Sequence, residues 1–348
     1  MKNIVLCFDS GWGGPGSRAT NVLELRRLLD DTDSQLVWWH PIGAAWLRMR
    51  RRRAISDAQT AVVGGYRVIA DSWQRGDRIF LFGAGYGGYC ARALSRLLDT
   101  VGVLPDRCHH LLDYALATYA LPRQGRTPQE WRRVTELTEI LAGRSALSVP
   151  VHFLGLWDSV RIPGLPRSAA GLPANVRIAR HAVAIDGSAF GEIVGDGPTD
   201  RTSGSDHIGD HIGDHIEEVW FRGVHADVAG GPGGCRPLAN IALHWVLDGA
   251  VRAGLEVSPI RRPAPVLGES DAVAGHAPTV GLRRLPPAPH IHDSVRVYLR
   301  RHPGYWRRLP ATFCWADPDW AARGERLLPT PRRVRVPAAD RALAHSAV

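Results

Sequence analysis

Lysine is almost missing from this chain of 348 residues: Lys2 is the only one, and every other cationic side chain is arginine. Arginine pairs well with carboxylates and phosphates. Replacement on this scale points to genome base composition, however, so the formal charge of +9 is weak support for an anionic partner. Cysteine is sparse. Cys7, Cys90, Cys108, Cys235 and Cys314 are odd in number, scattered and without CxxC spacing, which argues against a disulfide framework and for buried free thiols in a reducing compartment. No apolar run approaches the roughly 20 residues that span a bilayer. The opening Met1-Lys2-Asn3-Ile4-Val5-Leu6-Cys7-Phe8-Asp9 is too short and too soon acidic for a secretory signal, so a soluble, cytoplasmic protein is expected, non-classical secretion aside. Helix-turn-helix, zinc and RNA-binding motifs are also missing, and no nucleic acid partner is expected.

What is present is ordinary globular composition, 45% apolar and 22% charged, which excludes wholesale disorder. Ile4-Val5-Leu6-Cys7-Phe8 is a continuous apolar run ending at Asp9, the pattern of a strand buried on both faces. Thr20-Asn21 can cap a helix to about Leu29, with Glu24 three residues after Asn21. Further strands are expected at Leu36–Trp39, Arg78–Phe82, Val149–Leu156, Ala182–Ile185 and Val219–Phe221. Helices are expected at Asp57–Gln74, weakened in the middle by Gly64-Gly65, at Tyr86–Leu98, and at Leu238–Ala253. Another starts at the capping box Thr127-Pro128-Gln129-Glu130. Strands alternating with helices predict an α/β fold with a mostly parallel sheet flanked by helices on both faces. Residues 1–257 form the expected domain. The stretch 258–290 is proline-rich and aperiodic, a loop or linker, and 291–348 is a C-terminal extension packed on the same domain with a frayed end.

The sharpest local feature is Gly83-Ala84-Gly85-Tyr86-Gly87-Gly88, between a strand and a helix. Two machines use such a turn. A G-x-G-x-x-G fingerprint (Gly83, Gly85, Gly88) brings backbone close to a pyrophosphate, which would make the chain a dinucleotide-binding oxidoreductase. Its acidic partner would have to be Asp106, after the poor strand Val101–Pro105. A nucleophile elbow, G-x-S-x-G, holds a serine in a strained turn at the head of a helix.

Six blocks, in order, favour the second. They are Asp9-Ser10-Gly11-Trp12, Thr20-Asn21-Val22, the stretch Gly76-Asp77 through Gly83-Ala84-Gly85-Tyr86-Gly87-Gly88 to Ala91-Arg92, Phe153-Leu154-Gly155-Leu156-Trp157-Asp158-Ser159-Val160, Arg180-His181-Ala182 to Asp186, and Trp220-Phe221-Arg222-Gly223-Val224-His225-Ala226-Asp227. Through them the chain resembles a family of α/β-hydrolase domains that includes the catalytic domains of type VI secretion phospholipase effectors. The resemblance implies an α/β-hydrolase-like fold. It also implies a triad in the order nucleophile, acid, base, with Asp158 as acid and His225 as base. At the nucleophile position the family carries serine and this chain carries Gly85, which has nothing to attack with. A second departure follows Asp186, where the family's acidic and basic pair is replaced by Gly187-Ser188. The expectation is a pseudo-hydrolase that binds a small acyl, lipid or anionic ligand or a partner, with Ser10, Gly11 and Tyr86 offering groups to an anionic oxygen. The alternative is an active esterase or phospholipase with another nucleophile, Ser10 or Cys90.

Asp9, Asp158, His225 and Asp227 are also a carboxylate–imidazole set that suits a divalent ion, although their spacing does not demand one; no metal or other cofactor is expected. His292 is the second candidate for the base. The tandem Asp-His-Ile-Gly run from Asp206 to Ile216 reads as a solvated loop, with a transition-metal site as the alternative. Trp46 with Arg48, Arg50, Arg51, Arg52 and Arg53 reads as a solvated face or as a peripheral membrane contact.

Overall fold

The computed structural model describes residues 1–10, 18–42, 51–104, 121, 124, 127–142, 147–166, 171–187, 191, 215–258, 261, 267–278 and 283–322. Eight strands form one sheet: β1 (Asn3–Asp9), β2 (Gln35–Pro41), β3 (Arg78–Ala84), β4 (Val151–Trp157), β5 (Val176–Ala184), β6 (His215–Phe221), β7 (His290–His292) and β8 (Cys314–Ala316). Their order is β2-β1-β3-β4-β5-β6-β7-β8, and every neighbouring pair is parallel. The helices are α1 (Asn21–Leu28), α2 (Arg51–Ser72), α3 (Tyr86–Thr100), α4 (Pro128–Ala142), α5 (His225–Ala229), α6 (Arg236–Arg252), α7 (Glu269–Ala272) and α8 (Ser294–Arg301), followed by a 3-10 turn at Pro303–Arg308.

β1 shows why the strands are apolar throughout. All seven of its residues are buried, because alternate side chains enter different cores. Ile4, Leu6 and Phe8 join Tyr66, Ile69, Leu94 and Leu97 of α2 and α3 on one face. Val5 and Cys7 join Val22 and Leu25 of α1 and Leu243 and Val246 of α6 on the other. A third cluster, around Trp220, Ile291, Val295, Tyr298 and Tyr305, fastens the last two strands and α8 to the far end of the sheet. Among the described residues, no helix is long and apolar enough to cross a membrane.

Local chemistry sets the helix ends. Thr127 and Glu130 form the expected reciprocal box: Thr127 N–H donates to Glu130 Oε2 (2.7 Å) and Glu130 N–H to Thr127 Oγ1 (3.3 Å). At α1 the cap is Thr20, whose Oγ1 accepts from Leu23 N–H. Asn21 does other work: its buried amide donates to the Val228 and Ala239 carbonyls (2.8 and 2.9 Å), tying α1 to α5 and α6. Gly64-Gly65 does not break α2. A Cβ on Gly65 would come within 3.0 Å of Phe8 and Leu6 side chains, so its absence lets the helix lie close on β1.

One sequence expectation changes. Val101 caps α3, and Gly102, Val103 and Leu104 after it are not in a strand. The proline-rich stretch 258–290, expected as a loop or linker, contains α7, and Arg283 near its far end donates to the Ala184 carbonyl at the end of β5. Asp106, Cys108, the Asp206–Asp214 repeat, Trp46 with Arg48 and Arg50, and the chain end beyond 322 lie outside the described residues, as do the side chains of Arg51, Arg52 and Arg53.

Candidate functional site

In an open parallel sheet, ligands bind beyond the carboxyl ends of the strands, where the strand order reverses. Here the chain leaves β1 for β2 on one side and resumes at β3 on the other, so the switch point lies between β1 and β3. Asp9 and Ser10 end β1, and Gly85 follows β3. Because every strand runs the same way, Asp158 after β4, Asp186 after β5 and His225 after β6 reach that same edge.

The turn from β3 into α3 is tight and strained. Gly85 has φ +54° and ψ −119°, a region that residues with a Cβ enter only under strain. Its neighbours are small for a different reason: a Cβ on Gly87 would overlap the Phe8 carbonyl, and one on Gly83 the Gly87 carbonyl. Of the fingerprint glycines, Gly83 is accounted for by that helix-on-strand contact, Gly88 by the Ser159 side chain 2.9 Å from where its Cβ would stand, and Gly85 by its positive φ. Gly87→Ala is expected to destabilise the fold by about 1–3 kcal/mol or more, as overpacking against rigid backbone does, read as a lower urea midpoint with unchanged m-value.

Across the edge, His225 Nδ1 stands 2.7 Å from Asp158 Oδ2. An ionised carboxylate only accepts, so Nδ1 carries the proton. The other end of the ring is turned toward the glycine: a Cβ built on Gly85 would lie 3.2 Å from both Cε1 and Nε2 of His225, and 3.4 Å from Ser10 Cβ. Ser10, Gly85 and His225 therefore converge on one point.

Asp158 is fully buried and has a positive φ of 41°. The Ala184 N–H donates to Oδ1 (3.0 Å), while the loop's own Asp158 N–H and Ser159 N–H bond to Ala182 O and His181 Nε2. A residue that the motifs did not reveal completes this arrangement. Arg283, its side chain 6% exposed, places Nη1 against Asp158 Oδ1 and donates to the Ala184 carbonyl (2.9 Å). Burial alone would push the Asp158 carboxyl up. The Arg283 guanidinium and the His225 hydrogen bond outweigh it and hold the group well below the usual carboxylate range. Space for the guanidinium comes from two glycines. A Cβ on Gly187 would lie 2.7 Å from Arg283 Cζ, and one on Gly191 would overlap Nη2.

Asp9 Oδ1 accepts from Thr20 Oγ1 (2.7 Å). Asp227 builds the His225 loop, accepting from Val224 N–H (2.9 Å) and Cys235 N–H (2.7 Å). Tyr86 opens α3 beside Gly85, and partial burial raises its hydroxyl pKa. Cys90 is fully buried among Leu94 and Leu97, and burial pushes its thiol far up, which disarms it as a nucleophile. His292 is also fully buried, stacked on Phe221 and bonded to Ser294 Oγ (2.8 Å) and Asp317 Oδ2 (2.9 Å), so the structure seats it in the C-terminal packing. Among the described residues, no group of three or more His, Cys, Asp or Glu side chains is placed to hold a metal ion. Gly11 lies outside the described residues.

A parallel sheet covered by helices on both faces, with a glycine-rich strand-to-helix turn facing an acid–imidazole pair, defines an α/β-hydrolase-like protein. The family model for the type VI secretion system phospholipase effector Tle1-like catalytic domain matches residues 2–249, and the chain belongs to that family. The uncharacterized protein YEL023C of Saccharomyces cerevisiae (strain ATCC 204508 / S288c) is 30% identical over 212 residues, covering 53% of this chain and 31% of the yeast protein. Two solved structures are similar. One is the Tle1 effector bound to the VgrG spike of the type 6 secretion system, at TM-score 0.36 and 13% identity over 67% of this chain and 51% of that one. The other is an uncharacterized protein from Pseudomonas aeruginosa, at TM-score 0.38 and 14% identity over 74% and 46%. The chain thus spans about a third of the yeast relative and about half of each solved chain.

Proposed function

We propose that this chain is a family member that has lost covalent acyl transfer and retained the pocket: a pseudo-hydrolase that binds an ester-, carboxylate- or phosphate-bearing ligand. In this reading Gly85 occupies the nucleophile position, Asp158 and His225 are the surviving acid and base, and Ser10 with the backbone at Tyr86 faces the ligand's oxygen. The observation that carries it is the direction of His225. Its imidazole is 3.2 Å from where the first side-chain atom of residue 85 would stand, and its far nitrogen is fixed by Asp158. An imidazole held this close to a residue with no side chain supports a site whose nucleophile has gone, since the nucleophile must lie within hydrogen-bond reach of its base.

One observation favours a second reading, an active esterase using Ser10. Ser10 Cβ is 3.4 Å from that same point, so its hydroxyl has access to the region His225 faces. A fluorophosphonate probe on the wild-type chain separates the two. The pseudo-hydrolase is expected to remain unlabelled and to leave short-chain esters and phospholipids uncleaved. Labelling that disappears in Ser10→Ala and in His225→Ala would transfer the assignment to the esterase.

A further inference from the structure

The C-terminal end of the sheet carries a cationic groove that the site above does not use. It has a volume of about 800 Å³ and lies between α8 and the 3-10 turn, lined by Tyr298, Arg301, His302, Tyr305, Arg307 and Arg308 together with small residues, with no carboxylate in its wall among the described residues. Arg301 and Arg307 are exposed, and neither has an ion pair among the described residues. Asp186, behind the wall, is already engaged. It accepts from Tyr305 Oη (2.8 Å) and Gly223 N–H (3.1 Å) and faces Arg308 Nη1 at 3.6 Å.

Beneath Tyr298 lies a second buried cation. Arg222 is 3% exposed, and its Cζ sits 3.9 Å from the Tyr298 ring centroid. One of its nitrogens donates to the Ala272 and Ala274 carbonyls. Its Nε and Nη1 are buried with no hydrogen-bond partner among the described residues. Arg222 and Arg308 both act electrostatically on Asp186, and Arg301 and Arg307 line the groove with no ion pair among the described residues. In the same 3-10 turn, Trp306 is 63% exposed, between Tyr305 in the core and Arg307.

We propose that this groove and Trp306 form a docking surface for an anionic phospholipid bilayer, the arginines taking lipid phosphates and the indole entering the headgroup layer. Guanidinium forks match phosphate geometry, anionic leaflets draw in clustered basic side chains, and tryptophan partitions to the membrane interface. A single-stranded nucleic acid needs successive free stacking faces. Here Tyr298 is stacked on His302 and set edge-on against Tyr305, which leaves Trp306 as the exposed ring of the patch. The surface lies beyond residues 2–249, the stretch that the family model covers, and stands on its own observations, needing neither Gly85 nor His225. It does adjoin them, because Asp186 joins Tyr305 to Gly223, two residues before His225.

The test is co-sedimentation of the full chain with vesicles of phosphatidylcholine alone and of phosphatidylcholine mixed with phosphatidylglycerol, across a salt series. Binding is expected to the mixed vesicles, to weaken with salt, and to fall about tenfold or more in an Arg301→Glu/Arg307→Glu double variant. Trp306→Ala should lose several-fold. All three side chains are exposed, so the variants are expected to keep the wild-type circular dichroism; Arg301→Gln/Arg307→Gln, with an intermediate loss, serves if the charge reversal does not fold. Wild-type-like binding by the folded double variant, no sedimentation with either vesicle, indifference to lipid charge, or tighter capture by polyuridylate than by vesicles would each overturn the proposal.

Discussion

Gly85→Ser is expected to raise ester hydrolysis by at least about a hundredfold over the wild-type chain, within a ceiling on the order of a million-fold set by what loss of a triad serine removes. Three features of the turn support the gain. The backbone already has the strained φ and ψ of +54° and −119°, so the substitution asks for side-chain room and not for a new turn. Room is tight but negotiable: the new Cβ would stand 3.2 Å from two imidazole atoms, and the His225 side chain is 24% exposed, so the ring can give by a few tenths of an ångström. The proton's destination is also in place, because Asp158 holds Nδ1–H and leaves Nε2 on the side of residue 85. Strain at a side chain with positive φ costs about 1–3 kcal/mol, which should appear as a lower melting temperature. Hydrolysis of a p-nitrophenyl ester is the measurement, with Asp158→Ala and His225→Ala added in turn to the Gly85→Ser background; each should return the rate to wild type. A folded Gly85→Ser protein that neither turns over nor takes up a fluorophosphonate would sink the reading of Gly85 as the vacated nucleophile position.

The part of this site that the sequence displayed is the part built from strand ends. Runs such as Ile4–Phe8 and Phe153–Trp157 are apolar because both faces of a parallel strand are covered, and each ends in a polar residue where it leaves the core. Ser10 and Gly85 can therefore be placed on one edge of the sheet from the strand pattern, whereas Asp158 and His225 are implied only by the family resemblance. The same logic fails where an element is short or its partner distant. β7 and β8 have three residues each, too few for a period to show. Thr20 and Asn21 are both good capping residues, and only the position of α6 decides that Asn21 turns inward to bind it. Arg283 lies 125 residues from Asp158, in a stretch whose prolines advertise irregular chain. What announces it is a pair of absences, the Cβ atoms missing at Gly187 and Gly191. Absent atoms leave no periodicity to read.

Asp158→Asn should cost about 3–5 kcal/mol at neutral pH, the penalty for removing one partner from a buried ion pair and leaving the other charge behind. Arg283 is the charge left behind. Its side chain is 6% exposed, and that of Asp158 is 1% exposed, so solvent screens the pair little. Asparagine keeps the shape and can still meet the Ala184 N–H, but its NH2 then stands where Oδ2 accepted from His225 Nδ1, so that hydrogen bond is lost along with the charge. The pH dependence follows from the direction of the carboxyl's displacement. Folded Asp158 titrates well below its unfolded value, which is about 3.9. Its stabilising contribution is therefore complete above roughly pH 4 and is lost as the pH falls through the folded value. Urea unfolding of wild type and Asp158→Asn should show a constant gap from pH 8 down to about 4 that narrows on further acidification, as the wild-type carboxyl takes up the proton the variant never needs. Arg283→Met, which removes the cation and keeps most of the apolar stem, should abolish that narrowing and make Asp158→Asn nearly neutral in the double variant, since removing both partners can leave no orphan charge. A gap that is the same at pH 3 as at pH 7, or a double variant as unstable as the sum of the two singles, would mean that Asp158 is held by its backbone donor and His225 alone, with Arg283 a bystander.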